Sequence, residues 1–198
     1  MSEVVLASGS LTRKKILEDA GLVFGVEVPN VDEQEIKEAL LLKGASGEDI
    51  AGFLAEHKSC TVSARVPSAF VIGADQVLEC EGEIYSKPED LAAAKEQLTT
   101  LRGKKHTLIS SVVVAESGRR IWEHTDKSLL HMRKFSDSFL DDYILKQGKP
   151  LLDSPGCYQV ESAGIQLFSR IEGNYFTVLG LPLLPLLNYL RLRGVVAT

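Results

Sequence analysis

The chain has 198 residues, enough for one large domain or two small lobes that share a core. Its 44% hydrophobic and 25% charged content is that of a soluble globular protein, and no apolar run approaches the ~20 residues that span a bilayer. A net charge of −5 argues against wholesale binding to a nucleic-acid backbone, yet allows a local basic pocket for a small anion.

The first residues, Met1-Ser2-Glu3, run almost at once into a strand-like stretch and carry no signal-peptide pattern. Cys60, Cys80 and Cys157 are scattered, with no CxxC pair and no Cys/His cluster. They read as reduced thiols of a cytoplasmic protein. His57, His106, His124 and His131 show no HExxH-type spacing, so a metal here would take oxygen ligands, as Mg²⁺ and Mn²⁺ do.

Val4-Val5-Leu6-Ala7 reads as a short buried strand. Ser8-Gly9-Ser10 leads into a helix from about Leu11 to Ala20, stopped by Gly21. A second strand is expected over 22–28, then a helix over 34–43. Ser46, with Asp49 three residues on, has the capping-box spacing for a third helix. Its stripe would carry Ile50, Phe53, Leu54, His57 and Thr61, with Lys58 at the edge. A strand follows around Asp75, and Glu81-Gly82-Glu83 makes a turn. Pro88 suits the first position of a helix that runs to Gly103. Two long strands, 106–115 and 120–132, flank a hairpin turn at Glu116-Ser117-Gly118-Arg119. Ser136 caps a helix that ends at Gly148. A Gly-rich, strand-like segment is expected over 156–173, and Gly180-Leu181-Pro182 opens a last apolar helix to about Arg193. Early alternation of strands and helices, with a hairpin in the middle, argues for α/β with a mixed sheet.

The most informative stretch is Val71-Ile72-Gly73-Ala74-Asp75-Gln76-Val77. A buried strand has no structural use for a carboxylate, which costs several kcal/mol away from water unless a cation or donors compensate it. Gly73 and Ala74 allow another group to approach the backbone. Asp75 therefore reads as aimed at a cleft with positive charge nearby, from Arg13, Lys58 or Lys87; the plainer reading is a turn-capping Asp at a strand end. Lys58 can hold its ammonium at a pocket rim or simply reach solvent.

Ser8-x-Ser10-x-x-Arg13 lies at a strand-to-helix turn, where free N–H groups, two hydroxyls and a guanidinium suit a phosphate. The alternative is that Ser10 is an N-cap and Arg13 a surface residue. Neither a P-loop nor a dinucleotide-binding fingerprint is present. Glu33 and Asp75 could share a divalent cation whose shell is completed by phosphates and water. Polar residues alternating with apolar ones around Gly156 to Glu161 could line a base-recognition wall.

In this order the motifs resemble those of the Maf family of nucleoside triphosphate pyrophosphatases. The resemblance runs through Leu6-Ala7-Ser8-Gly9-Ser10-Leu11-Thr12-Arg13, Asp32-Glu33, Ala55-Glu56-His57-Lys58 and Gly73-Ala74-Asp75. It continues in Ser86-Lys87-Pro88, Leu101-Arg102-Gly103-Lys104-Lys105-His106 and Gly180-Leu181-Pro182-Leu183. Leu11 stands where the family has Pro, and Ser86 where it has Gly.

The resemblance implies a two-lobed α/β domain spanning 1–198, built around a long mixed β-sheet with flanking helices and a central cleft, in an inosine-triphosphatase-like architecture. It implies hydrolysis of an NTP to NMP and pyrophosphate. Ser8, Ser10, Arg13, Lys58 and Lys87 would hold phosphates. Glu33 and Asp75 would hold a divalent cation (Mg²⁺ or Mn²⁺), and Asp75 would act as the base. The family's substrate-reading positions are Thr12, Gln76 and Glu161 here. Gln76 and Glu161 lean toward the 7-methyl-GTP branch, while Thr12 matches neither that branch nor the dTTP/UTP one. Expected partners are a nucleoside triphosphate, no nucleic acid and no membrane, with a homodimer as the candidate assembly. The rival readings are a dTTP/UTP pyrophosphatase, a non-catalytic nucleotide-binding regulator of cell division, and a nucleotidyltransferase, which would need an acceptor site that no motif supplies.

Overall fold

The computed structural model describes residues 3–197. Its first strand, β1 (Val4–Ala7), is apolar on both faces, as a strand covered on both sides must be. Helix α1 (Leu11–Asp19) follows, and Gly21 leaves it at φ +76°. Only Gly25–Val26 of the expected second strand pairs, as β2, parallel to Val5 and Leu6 of β1. Val23 and Val28, on either side of it, are exposed.

Helices α2 (Glu33–Leu42) and α3 (Gly47–Ser63) begin at Asp32 and at the Ser46/Asp49 capping box. The buried stripe of α3 is rotated from the expected one. Ala51, Ala55 and Ser59 face inward with Ile50, Leu54 and Val62, whereas Phe53 is exposed and stacks on His57. The reason lies in β3 (Phe70–Cys80): a Cβ on Gly73 would stand 2.3 Å from Ala55 O and 2.8 Å from Ser59 Cβ. Small residues on the helix and a glycine on the strand bring the two backbones close.

Strand β4 (Glu83–Tyr85) pairs antiparallel with the end of β3, and helix α4 (Leu91–Leu101) follows. Pro88 is not its first residue; Asp90 starts the helix by accepting from Ala93 N at 2.8 Å, a cap a proline cannot supply. Strands β5 (Lys105–Glu116) and β6 (Arg119–Met132) are joined through Ser117 and Gly118, both at positive φ, as a tight hairpin turn requires. Helix α5 (Asp137–Gln147) ends at Gly148, φ +60°. The segment expected as a strand over 156–173 is mostly turns and a 3₁₀ helix at Ala163–Leu167; only β7 (Phe168–Glu172) is strand, antiparallel to β6. Cys157 at φ +57° turns the chain away from extended geometry there. The last apolar helix is preceded by a short one: α6 (Tyr175–Val178), then α7 (Leu183–Leu192).

The seven strands form one mixed sheet in the order β2-β1-β3-β5-β6-β7, with β4 paired off β3. The chain divides into two compact units. The first comprises the residues up to Gln76, Ile109–Asp126 and those from Asn174; the second comprises Val77–Leu108 and Lys127–Gly173. In the first unit the period of two along β3 sorts its side chains. Phe70, Ile72 and Ala74 join a core with Leu6 and the leucines of α7, while Val71 packs with Val5 and Val62 of α3. Gly73 and Asp75 therefore face α3, and Gln76 faces the α6–α7 side.

Candidate active site

Asp75 is 6% exposed, and its Oδ1 lies 2.6 Å from Lys58 Nζ. Lys58 projects from the inward face of α3, itself only 4% exposed, and the same ammonium sits 2.9 Å from Glu33 Oε1. Glu33 opens α2, just after the Asp32 cap. Two carboxylates from different elements thus converge on one buried ammonium. The close approach at Gly73 makes the meeting possible, because it brings α3 down onto the strand two residues before Asp75. In this structure the ammonium is not at a rim; it is committed to the two carboxylates.

Arg13 is half-buried on the first turn of α1. Its Nε donates to Gly180 O at 2.9 Å and its Nη1 to Ser8 Oγ at 3.3 Å. Burial pulls the guanidinium below its ordinary pKa, and the carboxylates of Asp75 and Glu33 pull it back up. Arg13 is therefore no free surface residue. Ser10 is the N-cap of α1: its Oγ accepts from Arg13 N at 3.3 Å. Ser8, 6% exposed, also accepts from Ser10 N at 3.2 Å. Thr12 is half-buried on the same turn.

Sequence reasoning missed Lys37. It lies one helical turn after Glu33 on the same face of α2, and is half-buried. Burial lowers its pKa, and the Asp75 carboxylate opposes that shift. The signal was available in the i,i+4 spacing from Glu33. Ser110 and Thr177 were missed as well. Both hold Gln76 from positions 34 and 101 residues away, and no local pattern reports that.

Lys87 and Glu161 belong to the second unit, not to the one that holds Asp75. Lys87 is exposed just before the buried Pro88. Glu161 is exposed in a turn ahead of the 3₁₀ helix, and not on the expected strand.

Glu33 and Asp75 offer oxygen donors only, the kind a hard divalent cation takes, and in this structure both are turned onto the Lys58 ammonium. Among the described residues no group of three or more His, Cys, Asp or Glu side chains forms a larger metal cluster.

A mixed α/β chain that gathers carboxylates, an ammonium and a guanidinium beside a strand-to-helix turn belongs with anion-handling enzymes, and its sequence places it more narrowly. Residues 3–193 match the model of the Maf-like protein family. The chain belongs to that family. A nucleoside triphosphate pyrophosphatase of Caulobacter vibrioides is 48% identical over 98% of this chain and 97% of its own length. One of Granulibacter bethesdensis is 46% identical over 96% of each. A 7-methyl-GTP pyrophosphatase of Brucella abortus is 45% identical over 96% of this chain and 95% of its own. Among solved structures, a lipoprotein from Neisseria meningitidis aligns with 78% of this chain and all of its own, at 12% identity and a TM-score of 0.29, too low to bear on the fold.

Proposed function

We propose that the chain is a nucleoside triphosphate pyrophosphatase, hydrolysing NTP and water to NMP and pyrophosphate. The observation that carries the reading is the buried Asp75 carboxylate, held with Glu33 on the Lys58 ammonium. Membership of the Maf-like family supports it, as do the pyrophosphatase names of relatives alike over nearly the full chain.

Attack at the α-phosphorus needs neutralised phosphate charge, a positioned water and a proton acceptor. Arg13 contributes a fixed fork, aimed by Gly180 O and Ser8. The Ser8 hydroxyl keeps its own proton to donate, and Lys37 adds a cation one turn beyond Glu33. Lys58 holds both carboxylates close together. It occupies Asp75 Oδ1, so Oδ2 is the oxygen that takes the proton from the attacking water. Glu33 and Asp75 are the residues that would hold Mg²⁺ or Mn²⁺, and such an ion supplies charge neutralisation and a more acidic water. Within the substrate class the reading leans to 7-methyl-GTP, on Gln76, Glu161 and the Brucella relative's name. A cytoplasmic location goes with it, supported by three unpaired cysteines; no helix among the described residues is long and apolar enough to cross a membrane.

The test is to incubate purified protein with standard NTPs, dTTP and 7-methyl-GTP, with Mg²⁺ or Mn²⁺, and to identify both products. NMP with pyrophosphate is expected, and activity should vanish in excess chelator. NDP with orthophosphate, or binding with no turnover, would sink the reading, the second outcome in favour of a nucleotide-binding regulator.

A further inference from the structure

Gln97 lies half-buried on α4, and its amide bridges two stretches that are far apart in sequence. Its Nε2 donates to Ser86 O at 3.2 Å, ahead of the helix, and to Pro155 O, 58 residues further on. Backbone carbonyls only accept, so both hydrogens of the NH₂ group are committed to these two stretches.

The two stretches are not held alike. Pro155, Gly156, Cys157 and Tyr158 are buried in a row, and their turn is fixed by groups other than Gln97. Cys157 N donates to Ser154 O at 3.2 Å, and the Tyr143 hydroxyl of α5 donates to Cys157 O at 3.4 Å. The Tyr158 hydroxyl meets His106 Nε2 of β5 at 2.7 Å. Residues 86–90, by contrast, join β4 to α4 as an irregular loop, with Lys87 exposed in it. The backbone of Lys87 is nevertheless gripped on both sides. Gln97 holds the carbonyl just before it, and the buried Pro88 just after it restricts Lys87 to extended geometry. A lysine that only solvates a surface gains nothing from a fixed backbone. A cation that must meet an anion loses less freedom on binding when its backbone is already placed.

We propose that Gln97 is a positioning residue: it ties the loop of Lys87 to the anchored Pro155 turn, and so places the Lys87 ammonium for a phosphate of the substrate. The proposal rests on the pyrophosphatase reading, with Lys87 as a phosphate contact. Its direction is fixed by the unequal anchoring. The turn holds Gln97, and Gln97 holds the loop.

The experiment measures dissociation constants for the α,β-methylene analogue of the NTP that is turned over fastest. The proteins compared are the wild type, Gln97→Met, Lys87→Ala and the double variant. Methionine keeps the length of the side chain and removes both donor hydrogens. Gln97→Met should weaken binding by about threefold to tenfold, the cost of ordering a loop that is no longer held. In the Lys87→Ala background the same substitution should change affinity less than about twofold, because the group it places is gone. A merely structural Gln97 would cost the same in both backgrounds, and that result, or no loss in the wild-type background, overturns the proposal. Amide hydrogen exchange gives a second reading, and Gln97→Glu, which also lacks the two hydrogens, serves should Gln97→Met fold poorly. Exchange should quicken over residues 86–90 and stay as in the wild type over 156–158; quickening of both stretches would reverse the direction and overturn the proposal. If Lys87→Ala leaves affinity unchanged while pyrophosphate is still released, the proposal falls and the functional reading stands. A protein that binds no analogue and releases no pyrophosphate overturns the functional reading, and the proposal with it.

Discussion

Each of the two units buries a polar cluster, and the clusters differ in the way that matters for chemistry. In the first unit Asp75 and Lys58 are nearly inaccessible and paired with each other, and the same Lys58 ammonium also meets Glu33. In the second, His106 is 1% exposed, with Nε2 2.7 Å from the Tyr158 hydroxyl and no partner for Nδ1 among the described residues. There burial drives the groups neutral: His106 falls to about 4, Cys157 rises to about 12, and Tyr158 rises too. Both clusters depend on a glycine at a close approach. A Cβ on Gly73 would stand 2.3 Å from Ala55 O, and one on Gly156 2.3 Å from the Tyr158 ring. Buried polarity and tight packing therefore do not by themselves mark a functional site. The pairing of a buried carboxylate with a cation sets the first cluster apart, because water activation needs a carboxylate as proton acceptor.

The largest expected effect falls on the charged cluster. Asp75→Asn keeps the shape but can neither take a proton nor bring a negative charge to Lys58. Turnover should fall by about 10²–10⁴-fold in a folded protein. Near-normal kcat in a folded variant would remove Asp75 from its role as base. Lys58→Met should cost about 3–5 kcal/mol of stability by leaving two carboxylates together around an apolar chain. Adding Asp75→Asn to that variant should restore much of the loss. If denaturant titrations show the two costs adding, the pair is not coupled and the compensation argument fails.

The neutral cluster gives the opposite signature, in pH. The folded His106 pKa of about 4 lies below the ordinary 6.5, so the unfolded chain binds the extra proton between these values. Stability should be full above about pH 6.5 and fall as pH drops toward 4, by about 3 kcal/mol at most, with this contribution level below that. A His106→Gln variant should lose that slope between pH 6.5 and 4. Unfolding curves with an unchanged slope would show that His106 is not the group responsible.

Much of the charged cluster was legible in the sequence, for reasons that single out particular residues. An Asp in an apolar strand after Gly-Ala is conspicuous because its cost must be met, and Ser46 with Asp49 announces α3 through a local hydrogen-bond pair. The stripe of α3 was misread because Phe53 outweighs Ala55 in hydrophobicity. Which face turns inward was decided by Gly73, on another element. The strand expected over 156–173 failed because alternation alone does not reveal a Cys157 at positive φ. Gln76 was picked out as a reader of the base, but its anchoring by Thr177 and Val178 is a tertiary fact that only the folded chain contains.

The paired glycines sharpen the comparison further. Gly73→Ala and Gly156→Ala should each cost about 1–3 kcal/mol, since in both a methyl group must displace what it meets. Only Gly73→Ala should also lower kcat per folded molecule, because it pushes α3 and Lys58 away from Asp75. Equal loss of kcat in the two variants would mean that the Gly73 approach does not set the geometry of the charged pair.

The smallest effect concerns Ser10, for which two roles compete. Its Oγ accepts from Arg13 N at 3.3 Å, so it serves α1 as an N-cap. The resemblance also makes it a phosphate contact. Ser10→Ala removes both, and as a cap it should cost about 1 kcal/mol. Ser10→Asp separates the roles. An aspartate caps as well as serine and favours the positive end of the helix dipole, so stability should be kept or slightly raised. The same carboxylate beside a triphosphate would repel it and raise KM. A stable Ser10→Asp variant with wild-type KM would make Ser10 a cap alone, and Ser8 and Arg13 would then be the groups at this turn that meet the phosphate. A stable variant with a sharply raised KM would show that the turn receives the anion directly, and would extend the charged cluster from β3 to the start of α1.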